Sequence, residues 1–384
     1  MQSETSFIQN SFAVSFSYPV IFTDDALAPA NSALREIVGG GRFCAFIDSG
    51  LAAARPSIGA EVEAYFSGSA ANAAAAGAIS IVAGGASVKN DPEILRGILE
   101  TLANARLDRQ SFVLAIGGGS ILDAVGLAAA LFHRGMRLVR MPTTVLAQAD
   151  AGVGVKNGVD FLGQKNLLGA FAPPFAVLCD RGIVETLPRA EMLAGLSECV
   201  KVGVIRDAEF FASLEDGASA LAQCGVDAIA RAVEGAARIH LRQITTGGDP
   251  FEYGSARPLD FGHWAAHRIE VISQKRVGHG TAVAAGMALD SVYASLAGIL
   301  QDSDCQRILA LLRKLGLPTF LPELEAVDSS GGFAVLRGLA DFREHLGGEL
   351  CVTLPTAIGR TIEVNSMDES LIRRAVAILK GNGC

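Results

Sequence analysis

The sequence predicts an α/β N-terminal nucleotide-binding domain with a mostly parallel sheet, followed by a mainly α-helical C-terminal metal-binding domain. Up to about residue 186, short apolar runs alternate with helical segments; from Arg189 to about Leu300 the pattern is helical throughout. Three of the six histidines lie between residues 263 and 279. Strands that alternate with helices are joined by right-handed crossovers in a mostly parallel sheet. Since 384 residues suffice for two domains, we expect them at 1–186 and 187–384.

Each predicted strand of the sheet is a short apolar run, which is typical of a strand buried on both faces. These runs are residues 43–48, 79–84, 112–116, 138–141 and 176–180. Predicted helices include residues 93–105, 121–132, 304–315, 332–345 and 369–380. A strand-like pair, 350–354 and 361–364, is expected near the C-terminus. The cleft between the two domains is the expected place for a ligand site.

The composition favours a small-molecule substrate and no nucleic-acid or membrane partner. Half of the residues are apolar, the net charge is −8 and the sequence pI is near 5.4, so no global basic field attracts polyanions. The seven cysteines form no CxxC pair, and the first residues lack the basic stretch and apolar core of a signal peptide. We therefore expect a cytoplasmic protein with reduced thiols.

A glycine-rich turn follows the predicted strand 112–116. Gly117, Gly118 and Gly119 lead into Ser120 and a helix with Asp123 in its first turn. Glycines allow backbone N–H groups to approach a pyrophosphate, and a helix N-terminus adds partial positive charge. The turn is compatible with a dinucleotide site and equally with a plain structural turn, because it is not a GxGxxG fingerprint.

Glu198, His263 and His279 are the candidate metal ligands. Two imidazoles and one carboxylate leave open positions on a divalent cation, which is a catalytic rather than a structural arrangement. The alternative is a polar helix stripe, because His263 and His267 are one helical turn apart and such pairs are often not ligands.

A dense polar segment, residues 142–169, follows the predicted strand 138–141. It lies on the carboxyl side of the sheet, where ligands of α/β folds bind. Lys156, Lys165 and Lys201, with Arg134, could form a cationic pocket for a phosphate. The alternative is a solvated loop with ordinary lysines.

Taken in order, these segments resemble the dehydroquinate synthase family of sugar-phosphate cyclases. The resemblance runs from about residue 79 to residue 300. It is carried by a glycine-rich turn, Pro-Thr-Thr-x-Leu-x-Gln-x-Asp, Lys-Asn, Thr-Leu-Pro, Glu-x-x-Lys and three histidines. Here these are residues 117–123, 142–150, 165–166, 186–188 and 198–201 with His263, His267 and His279, and Arg134-Gly135 and Lys156 also match.

The resemblance implies NAD and a divalent metal, zinc or cobalt, as cofactors, and a homodimer. It places the metal on Glu198, His263 and His279. Among the remaining residues, His267 is the candidate for proton transfer or anion binding, and Asp150 positions nicotinamide or substrate. The implied NAD-binding residues are Lys89, Gly118, Gly119, Ser120, Asp123, Thr143, Thr144, Lys156, Lys165 and Thr186. The implied catalytic and substrate-binding residues are Arg134, Asp150, Lys156, Asn166, Lys201, Asp260 and His267.

The resemblance also implies the family reaction. Bound NAD⁺ oxidises a ring hydroxyl, which acidifies the neighbouring C–H bond so that phosphate is eliminated. NADH then returns the hydride, the ring opens, and an intramolecular aldol addition closes a carbocycle. The metal polarises the carbonyl as a Lewis acid.

Departures from dehydroquinate synthases favour a substrate without a carboxylate. Those enzymes carry an Arg and, four residues later, an Asn before the ligand histidine, where this chain has Ala256 and Asp260. An Asp facing a carboxylate without its Arg is repulsive, although Arg257 next door could compensate. Residues 342–345 are Phe-Arg-Glu-His where the family carries Asp-Lys-Lys, which again weakens the site for an anion.

Segments 150–159, 257–264 and 342–348 resemble the cyclitol branch of the family, typified by 2-epi-5-epi-valiolone synthase, which uses sedoheptulose 7-phosphate. We therefore expect that sugar phosphate as the substrate. One departure concerns NAD. Residues 84–86 are Gly-Gly-Ala, so the acid that usually holds the adenosine ribose is missing, while Lys89 is present.

Three alternatives stay open. The first is a divergent 3-dehydroquinate synthase. The second is a metal-dependent alcohol or polyol dehydrogenase of the same fold, but such enzymes place a metal-binding His four residues after the first acidic ligand, where this chain has Val202. The third is a non-catalytic relative, against which the retained Lys201 and His267 argue.

Overall fold

The computed structural model describes residues 7–67, 74–75, 79–162, 164–247, 250–251, 258–329, 331–345 and 349–381. Its strands are β1 (Val20–Thr23), β2 (Arg42–Asp48), β3 (Ala74–Ala75), β4 (Ser80–Val82), β5 (Phe112–Gly117), β6 (Arg137–Pro142), β7 (Lys156–Phe161), β8 (Gln164–Phe171), β9 (Ala176–Asp180), β10 (Val352–Ala357) and β11 (Arg360–Val364). Its helices are α1 (Ala33–Val38), α2 (Ser49–Ala54), α3 (Ile58–Ser67), α4 (Ala86–Asn90), α5 (Pro92–Asn104), α6 (Gly119–Leu131), α7 (Arg189–Arg206), α8 (Ala208–Ala222), α9 (Val226–Thr246), α10 (His263–Ile272), α11 (His279–Leu296), α12 (Asp302–Lys314), α13 (Arg337–His345) and α14 (Glu369–Gly381).

A parallel sheet of seven strands occupies the first half of the described chain. Its order is β1-β9-β6-β5-β2, and β3 and β4 both pair with the outer side of β2. The five strands predicted for the sheet are all present, as β2, β4, β5, β6 and β9. Strands β1 and β3, of four and two residues, were not predicted. The predicted α/β fold class is confirmed.

Side chains of the central strands alternate between two hydrophobic cores. In β5, Phe112, Leu114 and Ile116 pack into the core that contains α1 and α3, whereas Val113 and Ala115 pack against α5 and α6. Because helices cover both faces, the strands read as continuous apolar runs. Strand β5 ends at Gly117, in the glycine-rich turn, and β6 ends at Pro142, where the polar segment 142–169 begins.

Residues 142–169 are more regular than predicted. A five-residue π-type turn, Ala147–Ala151, precedes an antiparallel hairpin of β7 and β8 in which Lys156 pairs with Phe171. The hairpin was not predicted, because glycines, lysines and asparagines interrupt the apolar alternation that marks a strand.

Three helices of the second half lie in backbone contact. Helix α7 is buried from Gly195 to Ile205, and most of α11 is buried as well. A Cβ on Gly280 of α11 would lie 2.2 Å from the Ala194 carbonyl oxygen of α7, and one on Gly286 would lie 2.0 Å from the Gly262 carbonyl oxygen before α10. Only glycine permits such approaches, so α11 lies directly against the elements that carry the other two predicted ligands.

The C-terminal elements agree with the predictions. Helices α12 and α14 lie where expected, β10 and β11 form the predicted strand pair, and α13 begins later than predicted, after a 3-10 turn at Ala334–Leu336. Strand β9 ends at Asp180 and α7 begins at Arg189, and the domain boundary between residues 186 and 187 stays a prediction. In the described part of the chain, no helix is both long and apolar enough to cross a membrane.

We expect Gly286→Ala to lower the free energy of unfolding by about 2–3 kcal/mol, because the new methyl group meets the Gly262 carbonyl and forces α10 from α11. Urea unfolding of the metal-free protein measures the change. Gly97→Ala is the control: its Cβ on exposed α5 would meet nothing within 4 Å, and it should gain about 0.5–1 kcal/mol. Equal stability of the two variants would contradict this account.

Candidate active site

Three helices bring the predicted metal ligands together. Glu198 lies in the middle of α7, and His263 and His279 are the first residues of α10 and α11. The Nε2 atoms of His263 and His279 lie 4.0 Å and 3.8 Å from Oε1 of Glu198. One ligand atom from each residue lies within 4.8 Å of the other two. The spacing leaves room for one divalent cation.

Each imidazole is oriented by a hydrogen bond from its other nitrogen. Nδ1 of His263 lies 3.1 Å from the Phe261 carbonyl oxygen, so this nitrogen carries the proton. Nδ1 of His279 lies 3.3 Å from Oε2 of Glu270. Both Nε2 atoms are thereby left as the metal-binding nitrogens, which is the outer-shell arrangement of histidine metal sites.

The carboxylate of Glu198 is suited to a metal. It is buried, and its Oε1 accepts no hydrogen bond from the described residues. Burial raises the pKa of Glu198 to about 7, with a further contribution from Asp150, while Lys201 opposes the rise. Burial, and then Lys201, lower the pKa of His263 well below its usual range, so this imidazole is in its neutral, ligating form. These residues fit a divalent metal.

A row of buried charged groups continues from the metal ligands. The Lys201 ammonium pairs with Oε2 of Glu198 and lies 3.2 Å from Oδ2 of Asp150. Nδ1 of His240, on α9, lies 2.6 Å from Oδ1 of Asp150. Burial would raise the pKa of Asp150, but Lys201 and His240 hold it well below its usual range. Each Asp150 oxygen therefore lies within 3.2 Å of a side-chain nitrogen, Lys201 Nζ on one side and His240 Nδ1 on the other.

Arg140 fixes the segment that follows Asp150. Its guanidinium is fully buried and donates to the carbonyl oxygens of Gly152 and Gly154 at 3.2 and 2.8 Å, and to that of Lys156 at 2.9 Å. It also donates to Oδ1 of Asn157 at 2.6 Å. A buried guanidinium with this set of acceptors holds the backbone between Asp150 and Lys156 in one conformation.

The glycine-rich turn is open to an anion. Gly118 is the N-cap of the 13-residue helix α6 and has no side chain to cap it. A Cβ on Gly117 would lie 2.7 Å from Cβ of Asp48, so the turn lies against the end of β2. Thr143 follows β6, and its N–H donates to the Gly117 carbonyl oxygen at 3.0 Å. The uncapped N–H groups of α6 are therefore available to a pyrophosphate.

Three predicted residues form one polar cluster beside this turn. Nζ of Lys89 lies 2.6 Å from Oδ2 of Asp123 and 2.7 Å from Oδ1 of Asn166. Lys89 comes from α4, Asp123 from α6 and Asn166 from the hairpin strand β8. The structure thus joins two predicted NAD residues to a predicted substrate residue.

The other predicted residues lie as follows. Nζ of Lys165 lies 2.8 Å from Oε2 of Glu270, the carboxylate behind His279. The ring of His267 lies 5.5 Å from that of His263 and 6.0 Å from that of His279. Thr144 lies just after β6. Gly119 and Ser120 are the first two residues of α6. Asp260 and Thr186 are the last residues of the 3-10 turns Pro258–Asp260 and Ile183–Thr186.

Arg134 lies in a different setting. It follows α6 in a left-handed conformation, with φ of 64°, and lines a groove of about 360 Å³ with Phe16, Phe171 and Pro173. None of the three metal ligands lines this groove. Residues 256 and 257, and the side chains of 344 and 345, lie outside the part of the chain that the structure describes.

The comparisons with known proteins decide the family. A model of the 3-dehydroquinate synthase N-terminal domain matches residues 79–194, and one of the C-terminal domain matches residues 195–331. A 2-epi-valiolone synthase from Actinosynnema mirum is 38% identical over 284 residues, which are 74% of this chain and 73% of the relative. This chain belongs to the dehydroquinate synthase family. Its relationship to sugar-phosphate cyclases is thereby established.

Members of this family with different products resemble the chain to a similar degree. A 3-dehydroquinate synthase from Teredinibacter turnerae is 36% identical over 284 residues, 73% of this chain and 76% of the relative. A solved 2-epi-5-epi-valiolone synthase from Streptomyces hygroscopicus subsp. jinggangensis, with NAD⁺ and Zn²⁺ bound, superposes with a TM-score of 0.84 at 30% identity, over 98% of this chain and all of that chain. Solved alcohol and glycerol dehydrogenases, at 18% identity or less, share only the fold with this cyclase-family chain.

Sequence reasoning missed several residues of this family member's site, among them Asp48, Arg140, His240 and Glu270. Each was missed because its partners lie in a different helix, strand or turn, so no spacing within one element marked it. Asp48 is informative for the missing ribose acid, because a Cβ on Gly84 would lie 2.3 Å from its Oδ1. A carboxylate therefore lies beside residue 84, the first of the three positions, 84–86, that lack the acid which usually holds the adenosine ribose. Roles assigned from the sequence, a homodimer and the absence of nucleic-acid and membrane partners stay predictions.

We expect Glu270→Gln to weaken Zn²⁺ binding by about tenfold or more, because His279 loses the anionic partner of its Nδ1–H. Competition with a chromophoric chelator measures the affinity without any substrate. The control is Glu93→Gln, which removes an exposed carboxylate paired with Arg96 on α5. Unchanged affinity in the Glu270 variant would show that this carboxylate does not support the site.

Proposed function

We propose that this chain is an NAD- and divalent-metal-dependent cyclase. Its substrate is a ketose phosphate without a carboxylate, best matched by sedoheptulose 7-phosphate, and its products are a carbocyclic cyclitol and phosphate. The observation that carries this proposal is Lys201, whose buried ammonium is fixed between Asp150 and the candidate metal ligand Glu198. The solved relative that contains NAD⁺ and Zn²⁺ supports both cofactors.

The bound groups would supply hydride acceptance and return, from NAD, and Lewis-acid polarisation of substrate oxygens, from the metal. Glu198, His263 and His279 would hold the metal. The uncapped N-terminus of α6 and the Lys89–Asp123 pair would hold the dinucleotide. Asp48 offers the carboxylate that residues 84–86 lack.

The protein's own side chains then handle charge and protons. Lys201 carries its positive charge next to the metal ligands, where it stabilises negative charge that develops on a substrate oxygen. Burial would lower the pKa of Lys201, but its pairing with Asp150 and Glu198 outweighs this and raises that pKa, so Lys201 acts as a cation and not as a base. His267, beside both ligand histidines, is the candidate for proton transfer to or from the substrate.

A substrate without a carboxylate is favoured by Asp260. This acid ends the 3-10 turn Pro258–Asp260, three residues before the candidate metal ligand His263. A carboxylate here repels an anionic carboxyl group and accepts hydrogen bonds from hydroxyls. Dehydroquinate synthesis is the second candidate, because relatives with that activity are 36% identical.

A dehydrogenase is disfavoured by Val202. This residue is four positions after Glu198, where the metal-dependent dehydrogenases place a ligand histidine, and its side chain is buried in the hydrophobic core. A valine cannot ligate a metal, so the ligand set follows the cyclase pattern.

We expect inorganic phosphate release from sedoheptulose 7-phosphate, with no net NADH, when NAD⁺ and Zn²⁺ or Co²⁺ are supplied. His263→Ala should lower the rate about 1,000-fold or more, because a metal Lewis acid contributes several kcal/mol to such a step. The carboxylated precursor of dehydroquinate is assayed in parallel. Phosphate from that compound alone would make the chain a 3-dehydroquinate synthase. NADH accumulation on simple alcohols would make it a dehydrogenase. Failure to bind NAD or metal would make it a non-catalytic relative.

We expect the double variant Ala256→Arg with Asp260→Asn to shift the preference towards the carboxylated precursor by about tenfold or more, since it replaces repulsion with an ion pair. The ratio of kcat/KM values for the two sugar phosphates measures the shift. Ala256→Gln with Asp260 retained is the matched control, because it adds bulk without charge. An unchanged ratio would remove Asp260 from the account of specificity.

A further inference from the structure

The two ligand histidines are backed in different ways. His279 donates directly to the carboxylate of Glu270, whereas His263 donates to a backbone carbonyl, that of Phe261. That carbonyl shares its peptide group with the N–H of Gly262. What this N–H contacts therefore bears on His263, because a peptide group is planar and its two ends polarise together.

The Gly262 N–H donates to a buried acid. Oδ2 of Asp290, on α11, accepts it at 3.0 Å, and Oδ1 of Asp290 accepts from the indole Nε1–H of Trp264 at 2.8 Å. Asp290 is fully buried, and no cationic side chain of the described residues pairs with it. Burial raises the pKa of Asp290 to about 7, and the two N–H donors oppose that rise.

Both partners of Asp290 flank the metal ligand. Gly262 precedes His263 and Trp264 follows it, so the carboxylate spans the backbone that carries the imidazole. Asn could not replace the acid without loss, because its amide group would direct N–H donors at an N–H donor. A hydrophobic contact would fix α10 on α11 at a lower desolvation cost, so helix packing alone does not account for an acid here.

The backbone of Gly262 is in close contact with the backbone of α11 near Asp290. Gly262 has φ of 78°, and a Cβ there would lie 2.7 Å from the backbone nitrogen of Met287. Asp290 lies one turn beyond Gly286, the residue that touches the Gly262 carbonyl oxygen. The start of α10, with His263, is thus held on the same helix whose first residue is His279.

We propose that Asp290 is a positioning residue for the metal ligand His263, acting through the peptide group that joins Phe261 to Gly262. The chain of hydrogen bonds runs from His263 Nδ1–H to the Phe261 carbonyl, and from the Gly262 N–H to Asp290. It gives His263 an anionic support one peptide removed, as Glu270 gives His279 directly. This inference rests on the metal site of the proposed function but not on its substrate.

The test compares Zn²⁺ affinities at pH 8, above the raised pKa of Asp290. Asp290→Asn should weaken binding by about 10–100-fold, the range seen for outer-shell partners of metal-bound histidines. Ser291→Ala is the matched control, because this neighbouring buried residue only donates to the Met287 carbonyl of its own helix. Chelator competition gives the affinities, and thermal unfolding of the metal-free proteins verifies that the variants fold. A folded Asp290→Asn variant with affinity within twofold of the wild type would overturn the proposal.

A second measurement uses the unmodified protein, in case the Asp290 variant does not fold. Trp264 is the single tryptophan of the chain, so ¹⁵N-tryptophan labelling gives one indole N–H signal. When Zn²⁺ binds His263, the Nδ1–H becomes a stronger donor, and through the shared peptide group the Gly262 N–H becomes a stronger donor to Asp290. The hydrogen bond from the Trp264 indole to the same carboxylate is then weakened, so the indole proton signal should move upfield. An indole N–H chemical shift that does not change at saturating Zn²⁺ would overturn the proposal. Failure of the wild type to bind Zn²⁺ or Co²⁺ would overturn it together with the proposed function, whereas failure to turn over a sugar phosphate would affect only the latter.

Discussion

The buried carboxylate of Glu198 is the constraint on which the second half of the molecule depends. An ionised carboxylate in a protein interior is costly unless cations or donors meet it. Here Lys201 meets one oxygen. The other faces the Nε2 atoms of both ligand histidines and accepts no hydrogen bond from the described residues, so a metal ion would be its cationic partner. Helices α7, α10 and α11 must converge for this to happen, and they can do so because glycines bring their backbones into contact.

The same logic extends away from the ligands. Lys201 needs a second anion, which Asp150 provides, and Asp150 is held by His240 on its far side. Arg140 then fixes the backbone that runs from Asp150 to the hairpin. Glu198, Lys201 and Asp150 thus form a row of alternating charge between helix α7 and the segment that follows β6, and each one limits where its neighbour can lie. A site built this way is rigid because few of its members can move alone.

The sequence predicted the sheet and the ligand triad for different reasons. Continuous apolar runs mark buried strands such as β5, and the order of motifs marked Glu198, His263 and His279. The hairpin was missed because glycines and lysines mask its alternation. Asp290 and Glu270 were missed because a supporting carboxylate is defined only by what lies opposite it in space. Local patterns carry the ligands, whereas the second layer of support depends on tertiary contacts that no spacing records.

The Lys165–Glu270 pair gives the hairpin and the metal centre a shared component. Lys165 extends from β8, beside the polar cluster around Asn166, and its ammonium neutralises the acid that supports His279. A ligand that binds beside the hairpin and draws this ammonium away leaves the Glu270 carboxylate without its counter-ion. Glu270 then accepts more strongly from the Nδ1–H of His279, which makes His279 a stronger metal ligand. Thermodynamic linkage requires the converse: metal on His279 changes the affinity for the ligand beside the hairpin by the same factor. The strength of this coupling then depends on one side chain, Lys165.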